Sequence, residues 1–447
     1  MPFFKQKPDG AKKPLFAGLH TFLILWSTQS LSALGSSMTS FALVIWCYQQ
    51  QGSALTTALL SVCSYTPYVL LSIFAGALSD RWDKKKTMLV CDSAAALTTV
   101  AVLLLLSTGN LEVWHLYVLN ALNGLMNTLQ QPASDVAVSL LAPREQYQRV
   151  GGLQSFSNSL VTILTPMAAS AVLAFGGVHA VILFDLATFA VAFLTLLCFI
   201  RIPAVEQQGA EKRESVLKSS MEGLRYLRKN RGVLGLILFL AAINLVASVY
   251  NAALPAMLLS RNGGSEWALG VVNTCTGVAN LAGSIAVSLL PAPKSRVRVI
   301  CNTLLLSMGI ENVLLAFGRS LPVWCVGAVM GWLLIPLMNA NLNALLRSHI
   351  PVELQGRVYS ARNTLQFFTI PVGYLLGGLL VDRVFEPLMA AQSPESPLVA
   401  LFGPGKGSGA AFLFLLLAVA GELVCLIFRK NRHIWALEKE PEQSEKS

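Results

Sequence analysis

The chain has 447 residues, 54% of them hydrophobic and 13% charged, with a net charge of +10. Soluble domains carry roughly a quarter of their residues as Asp, Glu, Lys and Arg, so a chain this poor in charge cannot cover a water-facing surface. Composition therefore excludes a soluble enzyme or binding module, and a mean hydropathy of +0.60 points to lipid as the missing apolar environment.

A bilayer core takes about 20 apolar residues per helix. Runs of that kind fall at 17–46, 53–78, 87–107, 113–138, 150–173, 178–200, 233–259, 267–290, 299–317, 322–346, 358–382 and 410–428. They predict an all-α membrane protein with twelve transmembrane helices. All but four of the 33 Lys and Arg residues fall on alternate connections that share one side. The exceptions are Arg261, Arg319, Arg383 and Lys406. Under the positive-inside rule the basic side is cytoplasmic, with both termini on it. The positive charge then orients the chain and touches anionic lipid; no nucleic-acid partner is expected. The eight cysteines are scattered without a CxxC pair, so neither a disulfide framework nor a metal site is expected, and no cofactor.

The segments read as a basic tail 1–16, a six-helix bundle 17–201, a polar linker 202–232, a second bundle 233–429 and a tail 430–447. Within the linker, Met221, Leu224 and Leu227 mark an amphipathic surface helix. The pattern P-x-E-x-x-x-R-V occurs at Pro143 and again at Pro351, 208 residues apart, each time between the fourth and fifth spans of its bundle. Two pseudo-symmetric six-helix bundles around a central pathway follow, an architecture typical of transporters.

A polar side chain inside a span is costly unless it is paired or faces water, so each one marks a candidate site. Gln29 lies on span one. Asn120, Asn123, Asn127 and Gln131 of span four fall at i, i+3, i+7 and i+11, on one helical face. Asn244 and Asn251 of span seven and Asn339 and Asn343 of span ten repeat the theme. Such amides offer donors and acceptors to a neutral or zwitterionic solute; equally, they can bond helix to helix. Three acidic residues lie within spans away from the basic loops, Asp185 in span six, Glu311 in span nine and Glu422 in span twelve. Asp185 and Glu311 are the candidates for carrying a coupling proton.

Between spans two and three the sequence runs Gly76-Ala-Leu-Ser-Asp80-Arg81-Trp-Asp83-Lys84-Lys85-Lys86. This resembles the G-x-L-x-D-R-x-G-R-K signature of the major facilitator superfamily, at the place where that family carries it. The resemblance implies the major facilitator fold and a conformational latch built from Gly76, Asp80, Arg81 and Lys85, with Asp92 and Asp135 as partners. In the family that latch favours the outward-open state and breaks as the halves rock. Within that superfamily the chain resembles the macrolide-efflux type of drug antiporter, through IWCYQQQGSA (45–54), SDRWDKKKTMLVCD (79–92), QPA (131–133) and EGLRYLRKNRG (222–232). Asn123 stands where drug antiporters carry a proton-coupling Arg, nine residues before Pro132. Thr165-Pro166 with Ala168 and Ala169 replaces their Gly-rich span-five motif.

The resemblance implies alternating-access export of a small amphipathic compound in exchange for protons, by a monomer in the cell membrane, with substrate and lipid as partners. A transporter of another solute (siderophore, lipid or nutrient) is the first alternative. A membrane-embedded lipid-modifying enzyme is the second, but the clustered metal ligands or activated nucleophile it would need are missing from the sequence. Gly403-Pro-Gly-Lys-Gly-Ser408 mimics a phosphate loop without its upstream Gly or preceding strand, and reads as a linker.

Overall fold

The computed structural model describes residues 20–141, 147–202, 224–261, 264–291, 293–350 and 352–438. Side chains at 72–81, 147–149, 152, 288, 347, 352–357, 359 and 360 are not among those described. The side chains of Gly76, Asp80 and Arg81 therefore lie outside the described residues. So do the tail 1–16, most of the linker, and Pro143, Glu145 and Pro351 of the repeat.

Spans one to four are the helices His20–Gln51, Ala54–Arg81, Lys84–Ser107 and Val113–Leu141. Spans five and six are two arms of one element, Tyr147–Cys198. Gly177 breaks it at φ 65, a left-handed conformation open to a residue without a Cβ. Spans seven to nine are Arg231–Ser260, Glu266–Leu289 and Arg296–Phe317. Span ten comprises Leu321–Trp332 and Ile335–His349. Span eleven comprises Val352–Phe367, Thr369–Leu379, a π-helical stretch Leu380–Phe385 and Glu386–Ala390. Span twelve is Ser408–Arg429.

Ten helical stretches are long and apolar enough to cross a membrane. One of them, Leu153–Cys198, holds the two arms around Gly177. Span four is not among the ten, because its amide face dilutes its apolar character. Counting both arms and span four, the helices are consistent with twelve crossings. Helix starts follow local chemistry: the side chains of Asp83, Ser265 and Ser295 accept from the backbone N–H groups of Lys86, Ala268 and Arg298.

Span one packs on the Tyr147–Cys198 element, span two on span four, and span three on both span four and that element. In the second half, span seven packs on eleven and twelve, span eight on ten, and span nine on ten and twelve. The pairings two–four and eight–ten are equivalent under the pseudo-symmetry. Two seams join the halves, span two against span eleven and the Tyr147–Cys198 element against span eight. At the second seam a Cβ on Gly277 would stand 2.8 Å from Ile163 Cγ1, so the small residue sets the approach. Large apolar side chains such as Leu97 and Phe175 are left exposed on the outer surface, as lipid contact requires.

Among the described residues, the hydrogen bonds that join the two halves gather at one face. It is the charge-poor face, which carries the connection between spans one and two. The Tyr48 hydroxyl donates to Ala256 O at 3.2 Å and pairs with the Ser260 hydroxyl. Gln49 donates to Glu266. Lys406 donates to Gly52 O at 2.6 Å and lies 5.6 Å over the Tyr48 ring. The seam between spans two and eleven continues inward through a stacked Tyr65–Tyr374 pair and an edge contact of Tyr68 with Phe367.

The segment read from sequence as a linker is folded. Helix Pro397–Phe402 precedes it, and Gly403, Gly405 and Gly407 take φ of 87, 86 and 90 to bring Lys406 back to span one. Glycine supplies the left-handed path, and the lysine fixes where it ends.

Candidate functional site

Among the described residues, each half encloses a cavity between its helices. The cavity of the first half, about 150 Å³, is bounded by spans one to four and six, and its lining includes Ser36, Thr98, Asn120, Asn123, Asn127 and Asp185. Asp185 is buried, and its Oδ1 accepts from the Ser36 hydroxyl at 2.9 Å. Thr39 faces the same carboxylate without closing a hydrogen bond to it. Asn123 Oδ1 accepts from the Thr98 hydroxyl at 3.0 Å, so the side chain at the position of the family's Arg is itself bonded into the wall.

The cavity of the second half, about 220 Å³, lies between spans seven, nine, ten and eleven, and its lining includes Asn244, Tyr250, Glu311, Asn312, Trp332, Asn339 and Gln366. Glu311 is buried, and its Oε1 accepts from the Tyr250 hydroxyl at 2.7 Å and from Trp332 Nε1 at 3.2 Å. Trp332 closes the first segment of span ten, and Gly331 beside it leaves room for the Glu311 carboxyl, which a Cβ there would overlap. Asn312 is buried with Nδ2 donating to Met308 O at 2.7 Å, while its Oδ1 has no partner.

Each cavity thus joins amides to one buried carboxyl, and neither lining contains Lys or Arg. Ionised, either carboxylate would rest on neutral donors alone, at a high desolvation cost. The arrangement suits a group that gains and loses a proton or meets a transient cation.

The sequence-derived candidates divide accordingly. Asn120, Asn123, Asn127 and Asp185 come together in the first cavity, and Asn244, Asn339 and Glu311 in the second. Gln29, Gln131, Asn251 and Asn343 are in neither lining. Gln29 approaches Asp92 with its Nε2 unbonded, and Gln131 donates to Asp135 at 3.2 Å. Asp92 accepts from Gln130 at 2.6 Å. Lys85 donates to the carbonyls of Leu197 and Ile200 at 2.9 and 2.8 Å, holding the start of span three against the end of span six. Asn312 and Trp332 were not singled out from sequence. The first adjoins Glu311 and is found by asking which buried amide follows a buried acid; the second carries no sequence signal that separates it from other interfacial Trp residues.

The chain is 24% identical over 366 residues to Macrolide efflux protein A of Streptococcus pyogenes, covering 81% of this chain and 90% of that protein. It is 26% identical over 369 residues to the Multidrug efflux pump Tap of Mycolicibacterium fortuitum, covering 80% and 88%. In fold it resembles a crystal structure of a mutant nucleoside transporter NupG, with a TM-score of 0.70 at 14% identity, covering 92% of this chain and all of that one. Residues 25–374 match the Major Facilitator Superfamily. Helices consistent with twelve crossings in two packed halves, amide-lined cavities inside each and that match over most of its length make the chain a membrane transporter of the Major Facilitator Superfamily.

Proposed function

We propose that this transporter works by alternating access and exports a small amphipathic, macrolide-like compound in exchange for protons. The observation that carries the reading is the pair of cavities, each combining amide donors and acceptors with one buried carboxyl and no basic residue in its lining. Asp185 and Glu311 are the proton carriers in this reading, and the cavity-lining amides Asn120, Asn123, Asn127, Asn244 and Asn339 bind substrate. The apolar and aromatic share of the second lining, with Leu240, Ile243, Met308 and Trp332, favours an amphipathic solute over a sugar or an ion. Efflux proteins among the relatives support export as the direction.

The basic face is cytoplasmic in this proposal, by the charge asymmetry of the connections. Both termini then lie inside the cell, and the chain works as a monomer in the cell membrane. The Asp80–Arg81 segment is the cytoplasmic latch, with Lys85, Asp92 and Asp135 around it. With the charge-poor ends of the halves bonded together, the conformation described here is sealed on the outside.

The test is accumulation of a labelled macrolide in an efflux-deficient host, with and without a protonophore. Expression of the chain lowers accumulation, the protonophore abolishes the difference, and Asp185→Asn or Glu311→Gln does the same at equal protein level. Unchanged accumulation across a panel of amphipathic drugs refutes drug export. Full export by both variants removes the assigned proton carriers.

A further inference from the structure

Among the described residues, the side chain with the most hydrogen bonds to the other half is one to which the reading above gives no role. Asp382 lies in the π-helical stretch at the charge-poor end of span eleven. Its Oδ1 accepts from Ala54 N at 2.9 Å, and its Oδ2 accepts from Leu55 N at 2.8 Å and from the Ser53 hydroxyl at 2.5 Å. Ala54 opens span two. One carboxylate from the second half therefore satisfies the first free N–H groups of a helix in the first half, where the helix dipole also favours negative charge. A π-helical insertion of this kind shifts the side chains that follow it around the helix axis, and such insertions concentrate at functional positions. One turn earlier a Cβ on Gly378 would stand 2.5 Å from Leu55 Cα, so glycine is what lets span eleven close onto span two.

The segment that makes this junction reads Gly378-Leu-Leu380-Val-Asp382-Arg383. It repeats, position for position, the G-x-L-x-D-R of Gly76-Ala-Leu78-Ser-Asp80-Arg81 at the opposite end of span two. Spans two and eleven pack together and run antiparallel, since one is even and the other odd in the order of crossings. Each therefore ends in the same six-residue pattern at the face where the other begins.

We propose that Asp382 is the catch of a gate at the charge-poor face, and that it forms an inverted pair with Asp80. Asp382 caps the start of span two and holds one face shut. In the latch read above, Asp80 belongs to the opposite face, at the far end of span two. The two catches compete, because rocking the halves to engage one draws the other apart. The structure shows the first engaged. The inference rests on the alternating-access reading, and it explains how a single pair of helices can time both gates.

The experiment uses the full-length protein in nanodiscs, with spin labels on a genetically encoded keto amino acid so that the native cysteines stay in place. One label pair at Asn110 and Ser393 reports the charge-poor face, and a second at Arg201 and Lys430 reports the basic face; all four positions are exposed. Asp382→Ala raises the population with a long charge-poor separation at least tenfold over the unmutated protein and shortens the basic-face separation. Gly378→Leu, a steric wedge that leaves the carboxylate intact, does the same. Adding Asp80→Asn to Asp382→Ala returns the basic-face distances toward those of the unmutated protein.

Unchanged charge-poor distances in both single variants overturn the gate. Opening by Gly378→Leu but not by Asp382→Ala assigns the seal to packing and overturns the carboxylate's role. An Asp80→Asn addition without effect overturns the inverted pairing. If Asp382→Ala does not yield a monodisperse protein, Asp382→Asn and Ser53→Ala, which each weaken the cap less, carry the same comparison. The distances decide the gate whether or not a drug is exported, so failure of the transport reading is scored separately by the accumulation assay.

Discussion

Replacing Arg261 by Ala should destabilise the second half by about 3–5 kcal/mol. Arg261 caps the end of span seven at the charge-poor face and is buried, with 6% exposure. Its guanidinium donates to Leu315 O at 3.1 Å, Ala316 O at 3.2 Å and Phe402 O at 2.9 Å. Those carbonyls close span nine and the short helix Pro397–Phe402, where a cation also meets the negative ends of two helix dipoles.

Burial and the neighbouring Arg319 guanidinium lower the Arg261 pKa to about 10, still well above physiological pH, so the side chain is charged. A hydrogen bond from an ionised donor contributes about 1.5–3 kcal/mol net, and a buried carbonyl left unpaired costs about 1–3 kcal/mol. The truncated side chain admits some water, and the three bonds share one donor group. The net loss therefore sits near that of removing one partner from a buried ion pair, about 3–5 kcal/mol. At about 2–4 °C per kcal/mol for a unit of roughly two hundred residues, Tm falls by about 10 °C.

The assay is unfolding in detergent followed with a thiol-reactive fluorophore, for which the buried Cys301 and Cys425 of the second half are native reporters. Arg261→Lys, with its charge kept but its fork lost, falls in between. A melting temperature for Arg261→Ala within about 2 °C of the unmutated protein would refute the reasoning.

Three further outcomes are expected. Tyr250→Phe removes the hydroxyl from Glu311 and keeps the edge contact with Phe414; losing a bond worth about 1.5 kcal/mol or more should cut export about tenfold in the accumulation assay. Asn123→Leu breaks the bond with Thr98, whose hydroxyl keeps Ala95 O at 2.6 Å. Stability should fall by about 1 kcal/mol and substrate affinity severalfold, whereas Asn251→Leu, outside both linings, leaves binding unchanged in the same titration. Glu438→Ala removes the carboxylate that accepts from Val297 N at 2.7 Å and from the Ser295 hydroxyl at 2.8 and 2.9 Å. Without that cap on span nine, worth about 1–2 kcal/mol, the stretch 430–438 should exchange its amide hydrogens faster and be cut sooner by protease.

The order of crossings, their alternation and the division of basic charge were legible in the sequence, because each depends only on local composition. Twenty apolar residues make a span wherever they fall, and a lysine-rich connection marks its side without reference to any neighbour. The amide face of span four was legible for the same reason, as a periodicity of one helix. Which amides matter was not: Asn251 and Asn343 share the chemistry of Asn244 and Asn339, but only packing decides which line a cavity.

The linker reading of 403–408 missed a folded segment, because left-handed glycines and flexible ones look alike in one dimension. Asp382 is the plainest case. Its six-residue pattern stands in the sequence as clearly as that at Asp80, but it falls at the end of a span rather than in a basic loop, and nothing local distinguishes it from a boundary charge. Its role depends on a helix start 328 residues away in sequence. Local chemistry determined the helices, the division of charge between the two faces and the candidates; the pairing of spans two and eleven, decided only in three dimensions, turned one boundary aspartate into a junction between the halves.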